Sequence, residues 1–430
     1  MRLLKSKRSV FLCVLFMFLV ALFAIGGKDS YAATAAGTVV QMTNHGSGNN
    51  CYQGDWINNA LVVYHCRDND AIYKTDGVMD TQLTNLLGEY YCDSHPDVND
   101  TGSLIVFQRN VDSPCAGIWV MDTNGGNQTQ IVSCDPNVGG AQAPKWSPDG
   151  KYIAYTQGFE DHNSLSELYA VGSSGGTPTR LTFGYNQPEH DGGISWVGSW
   201  SGGVAGSGSP RTTTTGQVLV SLEDTATWWA DPDSHNHIST PGPRGVALVS
   251  LSGVTTWLTN TQDEVCENQQ LPTSTGRIVY KSDITNTTGD IYSMDRNGLN
   301  KKQLTTTALA NHCSNHPTPH PSGKYIAYWS DFDDGTWRIW MMTADGNYKA
   351  VVADETAVNN AYYWRPLKFN AAGTKLLFTG CSEGACTTEN IFSLNLDTAD
   401  TDGDGLKNWE EVIYGTNPAV DNVRRSPRNP

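Results

Sequence analysis

The sequence predicts an all-β chain folded as a seven-bladed β-propeller, and three observations predict it. First, an apolar residue followed by an aromatic or small one recurs at Ile72-Tyr73, Ile118-Trp119, Leu168-Tyr169, Val246-Ala247, Ile291-Tyr292, Ile339-Trp340 and Ile391-Phe392. Successive copies lie 46, 50, 78, 45, 48 and 52 residues apart. A period of about 45 residues carrying several short strands marks a propeller, whose small sheets bury both faces only by stacking around an axis. Second, each copy follows a tight turn and an apolar run. Third, the last copy lacks a fourth strand, while a spare strand, Val39 to Thr43, precedes the first copy.

Residues 1–32 are read as a secretory signal outside the fold. Arg2, Lys5, Lys7 and Arg8 precede an apolar run from Val10 to Ile25, and Ser30-Tyr31-Ala32 is a small-x-small cleavage signal. The run has 16 residues, fewer than the roughly 20 needed to span a bilayer. The propeller is assigned to residues 33–397. Its first turns are Asn58-Asn59-Ala60, Asn99 to Gly102, Ser147 to Gly150, Thr213 to Gly216, Thr273 to Gly276, Pro321 to Gly323 and Ala371 to Gly373. The runs after them are apolar, as in Val62-Val63-Tyr64, Ile105-Val106-Phe107, Ile326-Ala327-Tyr328 and Leu376-Leu377-Phe378. Such runs suit strands buried on both faces between neighbouring blades. Fourth strands end in Leu83-Thr84 or Leu304-Thr305. The spare strand is expected to pair beside Phe392 and complete the seventh blade, which removes the open edges.

Lys145 to Tyr155 reads Lys-Trp-Ser-Pro-Asp-Gly-Lys-Tyr-Ile-Ala-Tyr, and His316 to Tyr328 follows the same pattern with Pro319-His320-Pro321 at its core. These residues resemble the TolB-type, WD-like propeller repeat, over about residues 38–396. Seven repeats depart from the six blades of TolB, so the resemblance implies the repeat fold and not a role in envelope integrity.

The formal net charge is −16, and residues 1–32 hold five bases against one acid, so the remainder is more acidic still. Such a chain repels nucleic acid and anionic membranes. Of ten cysteines, nine follow residue 32 and fall in or beside the loops of one face, as do nine of the ten histidines; His320 is the exception. In an exported protein these cysteines are disulfide candidates. Cys51–Cys66 flanks the first hairpin symmetrically, Cys381–Cys386 brackets one loop, and Cys266–Cys313 would link adjacent blades. One bond is expected among Cys92, Cys115 and Cys134.

That loop face is the expected ligand face, with His95, His190, His316, Trp196, Trp200, Trp228 and Trp229 as candidate contacts. Cys92-x-x-His95-Pro96 and Cys313-x-x-His316-Pro317 occupy equivalent repeat positions, too far apart to share an ion. The fourth repeat holds two insertions, Gly184 to Gly208 and Glu223 to Gly245. The second contains Asp231, Asp233, His235 and His237, alternate residues that share one face of an extended segment and offer metal donors. The alternative to such a site is a solvated polar loop.

After the propeller, Asp400-x-Asp402-x-Asp404-Gly405-x5-Glu411 fits the EF-hand calcium loop formula. Leu406 would offer its carbonyl, Asn408 stands where a water often bridges, and Glu411 is the distal carboxylate. A helix from Lys407 to Tyr414 should stop at Gly415. Residues 398–418 resemble the bacterial thrombospondin type 3-like repeat, which implies a calcium-stiffened spacer or surface module; residues 419–430 read as a disordered tail.

Two functions follow. The first is an exported, non-catalytic propeller that binds an extracellular protein or a glycan through its loop face, with calcium at its end. The chain has no Gly-x-Ser-x-Gly elbow, His-Glu-x-x-His motif, phosphate loop or dinucleotide fingerprint. The alternative is a polysaccharide lyase acting by β-elimination on uronate polymers, an activity found in similar propellers such as oligogalacturonate and ulvan lyases. His45, His65, His95, Tyr91 and Arg109 would then supply the base and the carboxylate-neutralising group.

Overall fold

A computed structural model describes residues 36–46, 49–67, 69–85, 92–110, 116–135, 139–158, 167–183, 185–186, 194–197, 217–224, 244–259, 269–270, 277–282, 289–306, 312–331, 335–353, 366–381 and 388–419. These form seven antiparallel sheets and one helix. Blade one is Cys51–Trp56, Val62–Cys66, Ala71–Thr75 and Asp80–Gln82; blade two is Cys92–Val98, Leu104–Asn110, Ala116–Asp122 and Thr129–Val132. Blade three is Gly140–Trp146, Tyr152–Gly158, Glu167–Gly172 and Thr179–Arg180. In blade four Tyr185–Asn186 and Ile194–Val197 both pair with Gln217–Asp224, followed by Arg244–Ser250 and Thr255–Trp257. Blade five is Gln269–Gln270, Ile278–Ser282, Asp290–Met294 and Lys302–Gln303; blade six is Ser314–Pro319, Tyr325–Ser330, Arg338–Thr343 and Lys349–Ala353. Blade seven joins Lys368–Phe369, Lys375–Cys381 and Glu389–Leu396 to Gly37–Gln41 from the other end of the chain, with Val39 opposite Leu394 and Gln41 opposite Phe392.

Because side chains alternate along a strand, each apolar second strand serves two neighbours. Val62, Tyr64 and Cys66 pack with Leu377 and Ile391 of blade seven, while Val63 and Ile72 pack with Ile105 and Phe107 of blade two. Corresponding cores fill every other junction, so seven buried clusters run around the ring.

The recurrent Leu-Thr pair has a structural cause. The amides of Leu83, Leu181, Leu258 and Leu304 donate to the carbonyls of Ile72, Leu168, Val246 and Ile291, at 2.7–2.8 Å. The next residue, Thr84, Thr182, Thr259 or Thr305, accepts the amide of that same third-strand residue on its hydroxyl at 2.8–3.0 Å. Each threonine thus closes the end of its sheet without an exposed amide. In blade seven Met42 and Thr43 make the same two bonds, to Ile391, at 2.8 and 3.0 Å.

Turn glycines sit over these leucines. A Cβ on Gly125, Gly298 or Gly346 would meet the carbonyl oxygen of Leu83, Leu258 or Leu304 in the preceding blade at 2.6, 2.7 or 3.0 Å. The φ angles are +82°, +78° and +73°, a region that favours glycine. Gly298→Ala therefore faces both strain and a clash. It should destabilise the fold by about 1–3 kcal/mol, seen as a lower denaturation midpoint; an unchanged midpoint would refute the account of this contact.

Candidate functional site

The loop face near blades one and two is shaped by bulges in the first strands. The pairing register shifts between Tyr52 and Asp55, Ser94 and Asp97, Gln142 and Lys145, and Asn315 and Thr318. Inside each bulge one non-glycine residue is left-handed: Gln53 (φ 56°), His95 (52°), Ala143 (47°) and His316 (53°). A bulge re-aims the side chain it carries, so the two His-Pro steps do stand in equivalent positions. The His95 amide donates to Gln53 Oε1 at 3.0 Å, and its Nε2 lies 2.8 Å from Gln53 Nε2. Since the Gln53 amide can only donate there, His95 Nε2 accepts and Nδ1 carries the proton, 3.1 Å from Ser94 Oγ.

Arg109 forms a bidentate pair with Asp93, at 2.7 and 2.8 Å, with both side chains buried. Its Nη2 also donates to Gln128 Oε1 at 2.9 Å, and the guanidinium lies over Trp119 and Phe107 at 4.6 and 5.1 Å. His45 lies on the opposite side of blade one, with Nε2 2.8 Å from Tyr64 Oη and its ring against Tyr73. His65 alternates with Tyr64 and so faces blade two, with its ring edge-on to Tyr52 at 4.9 Å. The sheet therefore separates His45 from His65, while His65 and His95 lie near enough to feel each other's charge. Tyr91 lies outside the described residues, as do His190, Trp200, Trp228, Trp229, Asp231, Asp233, His235 and His237. Trp196 falls in the strand Ile194–Val197.

Cys51 and Cys66 are disulfide-bonded with their Cα atoms 4.1 Å apart, as the symmetric flanking of the hairpin predicts. Cys134 and Cys381 are also in disulfides; Cys115, Cys266 and Cys386 lie outside the described residues. The expected Cys266–Cys313 bond is corrected: Cys313 is a thiol. Its sulfur takes the Asn315 amide at 3.7 Å and its own amide is held by Asp331 Oδ1 at 2.8 Å, which fixes it within blade six. Cys92 is a thiol as well.

At the carboxy terminus, the two oxygens of Asp400 accept the amides of Gly403 and Gly405 at 2.7 and 3.1 Å, and one oxygen each of Asp402 and Asp404 accepts the amide of Asp404 and Leu406 at 3.1 and 2.9 Å. Their carboxylates lie within 4.8 Å of one another. Asp402 Oδ2 is shielded from solvent and has no hydrogen-bond donor, and Glu411 is fully buried in the following helix α1, Asn408–Tyr414. A shielded carboxylate oxygen beside two more carboxylates fits a hard cation. Asn408 turns elsewhere, donating to Asp397 and Thr401 at 2.8 and 3.0 Å. Gly415 ends the helix in the left-handed conformation.

The helix is docked on the propeller. Trp409 and Ile413 join the core between blades six and seven, and Tyr325 Oη donates to Glu410 Oε1 at 2.9 Å. The Trp409 ring also lies against His320, 5.4 Å between centroids. No helix among the described residues is long and apolar enough to cross a membrane.

The family model for the bacterial TSP3 repeat matches residues 400–420. The carboxy-terminal loop is a bacterial TSP3 repeat. No curated protein matches the chain. Among solved structures, an oligogalacturonate lyase in complex with manganese is similar at a TM-score of 0.58 and 12% identity, covering 85% of this chain and 94% of that one. An oligogalacturonate lyase from Vibrio parahaemolyticus gives 0.56 and 11%, over 83% and 93%. TolB from Acinetobacter baumannii gives 0.40 and 16%, over 67% and 58%. At these identities the likeness to the two lyases is one of fold.

His320 gives this docking a pH dependence. Burial lowers its pKa below the ordinary value, against the raising effect of its bond to the Gly373 carbonyl. Nε2 donates to that carbonyl at 2.8 Å, leaving Nδ1 to accept from Ser322 Oγ, also at 2.8 Å. Protonation at Nδ1 would break the second bond. The unfolded state takes up the proton first, so this stabilisation is full above about pH 6.5 and is lost as pH falls through the lower folded value. Thermal midpoints of the wild type should fall more between about pH 7.5 and about pH 5 than those of His320→Gln. Equal slopes would remove the assignment.

Proposed function

We propose that the protein is an exported, non-catalytic propeller that binds an extracellular protein or a glycan through its loop face, with calcium held at its TSP3 repeat. The observation that carries this reading is the internal commitment of Arg109, His95 and His45, three of the five side chains named for elimination. Elimination on a uronate needs a cation for the carboxylate and an available base. Arg109 is bound to Asp93 and Gln128, His95 to Gln53 and Ser94, and His45 to Tyr64. Their geometry suits a rigid platform whose surface loops meet the ligand. The disulfides at Cys51, Cys66, Cys134 and Cys381 support export, and the acidic charge disfavours nucleic acid.

Calcium would be held by Asp400, Asp402, Asp404, the Leu406 carbonyl and Glu411. Because α1 shares a core with blades six and seven, occupancy stabilises the propeller as well as the loop. At free calcium about a hundredfold above its Kd, the stability gain should be about 2.7 kcal/mol, and Asp402→Asn should abolish most of it. A wild-type midpoint that calcium does not move would contradict the assignment.

The binding and lyase readings part on one assay. Incubation of the secreted chain with ulvan, pectate or alginate should give no rise in the ultraviolet absorbance of an unsaturated product, while a glycan array or pull-down should return a ligand. Sustained product formation on any of these polymers would replace the binding reading with the enzymatic one.

A further inference from the structure

We propose that His65, Asp70 and Cys92 form a binding site for a divalent cation of the zinc class, with a fourth position open to solvent. His65 Nε2 lies 3.8 Å from Cys92 Sγ and 3.8 Å from Asp70 Oδ1, and one donor atom from each of the three residues falls within 4.8 Å of the others. Tetrahedral zinc with its usual bond lengths places neighbouring nitrogen, oxygen and sulfur donors about 3.3–3.6 Å apart. A shift of a few tenths of an ångström brings the two 3.8 Å separations to that geometry.

The surroundings hold the three donors in place. Cys66, next to His65, is locked to Cys51. Asp70 occupies a left-handed turn position (φ 47°), and its carbonyl accepts the Asp93 amide at 2.8 Å, which draws the start of blade two, and Cys92 with it, over blade one. A cation there would staple two blades together. The Asp70 side chain is 48% exposed, so solvent reaches the site from that side.

His65 gives the independent pointer to a ligand. It is about 1% exposed, its Nδ1 has no hydrogen-bond partner among the described residues, and its Nε2 faces the thiol and a carboxylate oxygen, each at 3.8 Å. Nε2, the nitrogen that faces the other two donors, meets them at 3.8 Å and no closer, and a metal on Nε2 would draw all three together and leave the proton on Nδ1. A nucleophilic triad does not fit. The thiol and the carboxylate face the same ring nitrogen, so the ring cannot pass a proton from one to the other. Burial also pushes the Cys92 thiol up to about 12, the reverse of an activated nucleophile. The thiolate and imidazole donors select a late first-row ion over calcium or magnesium.

The test uses the full secreted chain, stripped with chelator and then saturated with calcium to fill the TSP3 loop. Titration with Co2+ should show one bound equivalent with a strong thiolate-to-cobalt absorption, displaced by Zn2+. Cys92→Ser should lose that absorption and Cys313→Ser should keep it. Asp70→Asn, at a half-exposed position, should keep the absorption and weaken cobalt binding by at least the roughly tenfold that loss of an outer-shell partner costs, since Asp70 is a direct donor. No thiolate absorption in the wild type, its loss in Cys313→Ser, its survival in Cys92→Ser, or unchanged affinity in Asp70→Asn would each overturn the proposal. If Cys92→Ser does not fold, the Asp70→Asn arm decides alone.

Discussion

A four-stranded sheet with apolar side chains on both faces is not stable alone, and every blade here presents such faces to its neighbours. Tyr64 and Val63 are adjacent in sequence but belong to different cores, one shared with blade seven and the other with blade two. Each buried aliphatic side chain contributes about 1.5–3 kcal/mol relative to its exposed state, so exposing one junction would cost many such terms together. Stability in this chain is therefore a property of junctions, and the last junction requires residues from both ends.

The same constraint explains the polar contacts near the axis. Asp55 accepts the Val98 amide at 3.0 Å and Asp97 accepts the Trp146 amide at 2.8 Å, so the residues that end the first two bulges tie their blades to the next. Gln53 binds His95 across the same junction. Of the side chains that look like catalytic candidates in the sequence, His95 is here a pin between blades one and two. The TSP3 repeat follows this logic too: Trp409 and Ile413 extend the core between blades six and seven, while the Asp397 amide donates to the Ala36 carbonyl at 2.9 Å, beside the strand Gly37–Gln41.

Local signals made most of the architecture legible in the sequence. The apolar second strands, the Leu-Thr ends and the turn glycines each have a cause that repeats from blade to blade. The spare strand was legible because Met42-Thr43 copies the Leu-Thr pair and makes the same bonds to Ile391. The site was less legible, because its contacts depend on register. Arg109 reaches Asp93 only because those residues are opposite one another across two strands. The separation of His45 from His65 follows from which face each side chain takes. The Cys266–Cys313 expectation rests on proximity of blades, whereas Cys313 is held by Asn315 and Asp331 of its own blade. Docking of α1 has a signal in the sequence: Trp409 and Ile413 are four apart, the spacing of one helix face.

Amide hydrogen exchange resolved at Val40, Met42 and Ile391 tests the closed ring most directly, with Leu83 and Leu304 as internal standards in complete blades. The account predicts that these three amides exchange as slowly as the standards, because Met42 and Ile391 repeat the bonds of the other blades and Val40 is paired with Ser393 in the same sheet. Exchange of Val40 and Met42 at the rate of an unstructured peptide, with the standards still protected, would contradict it.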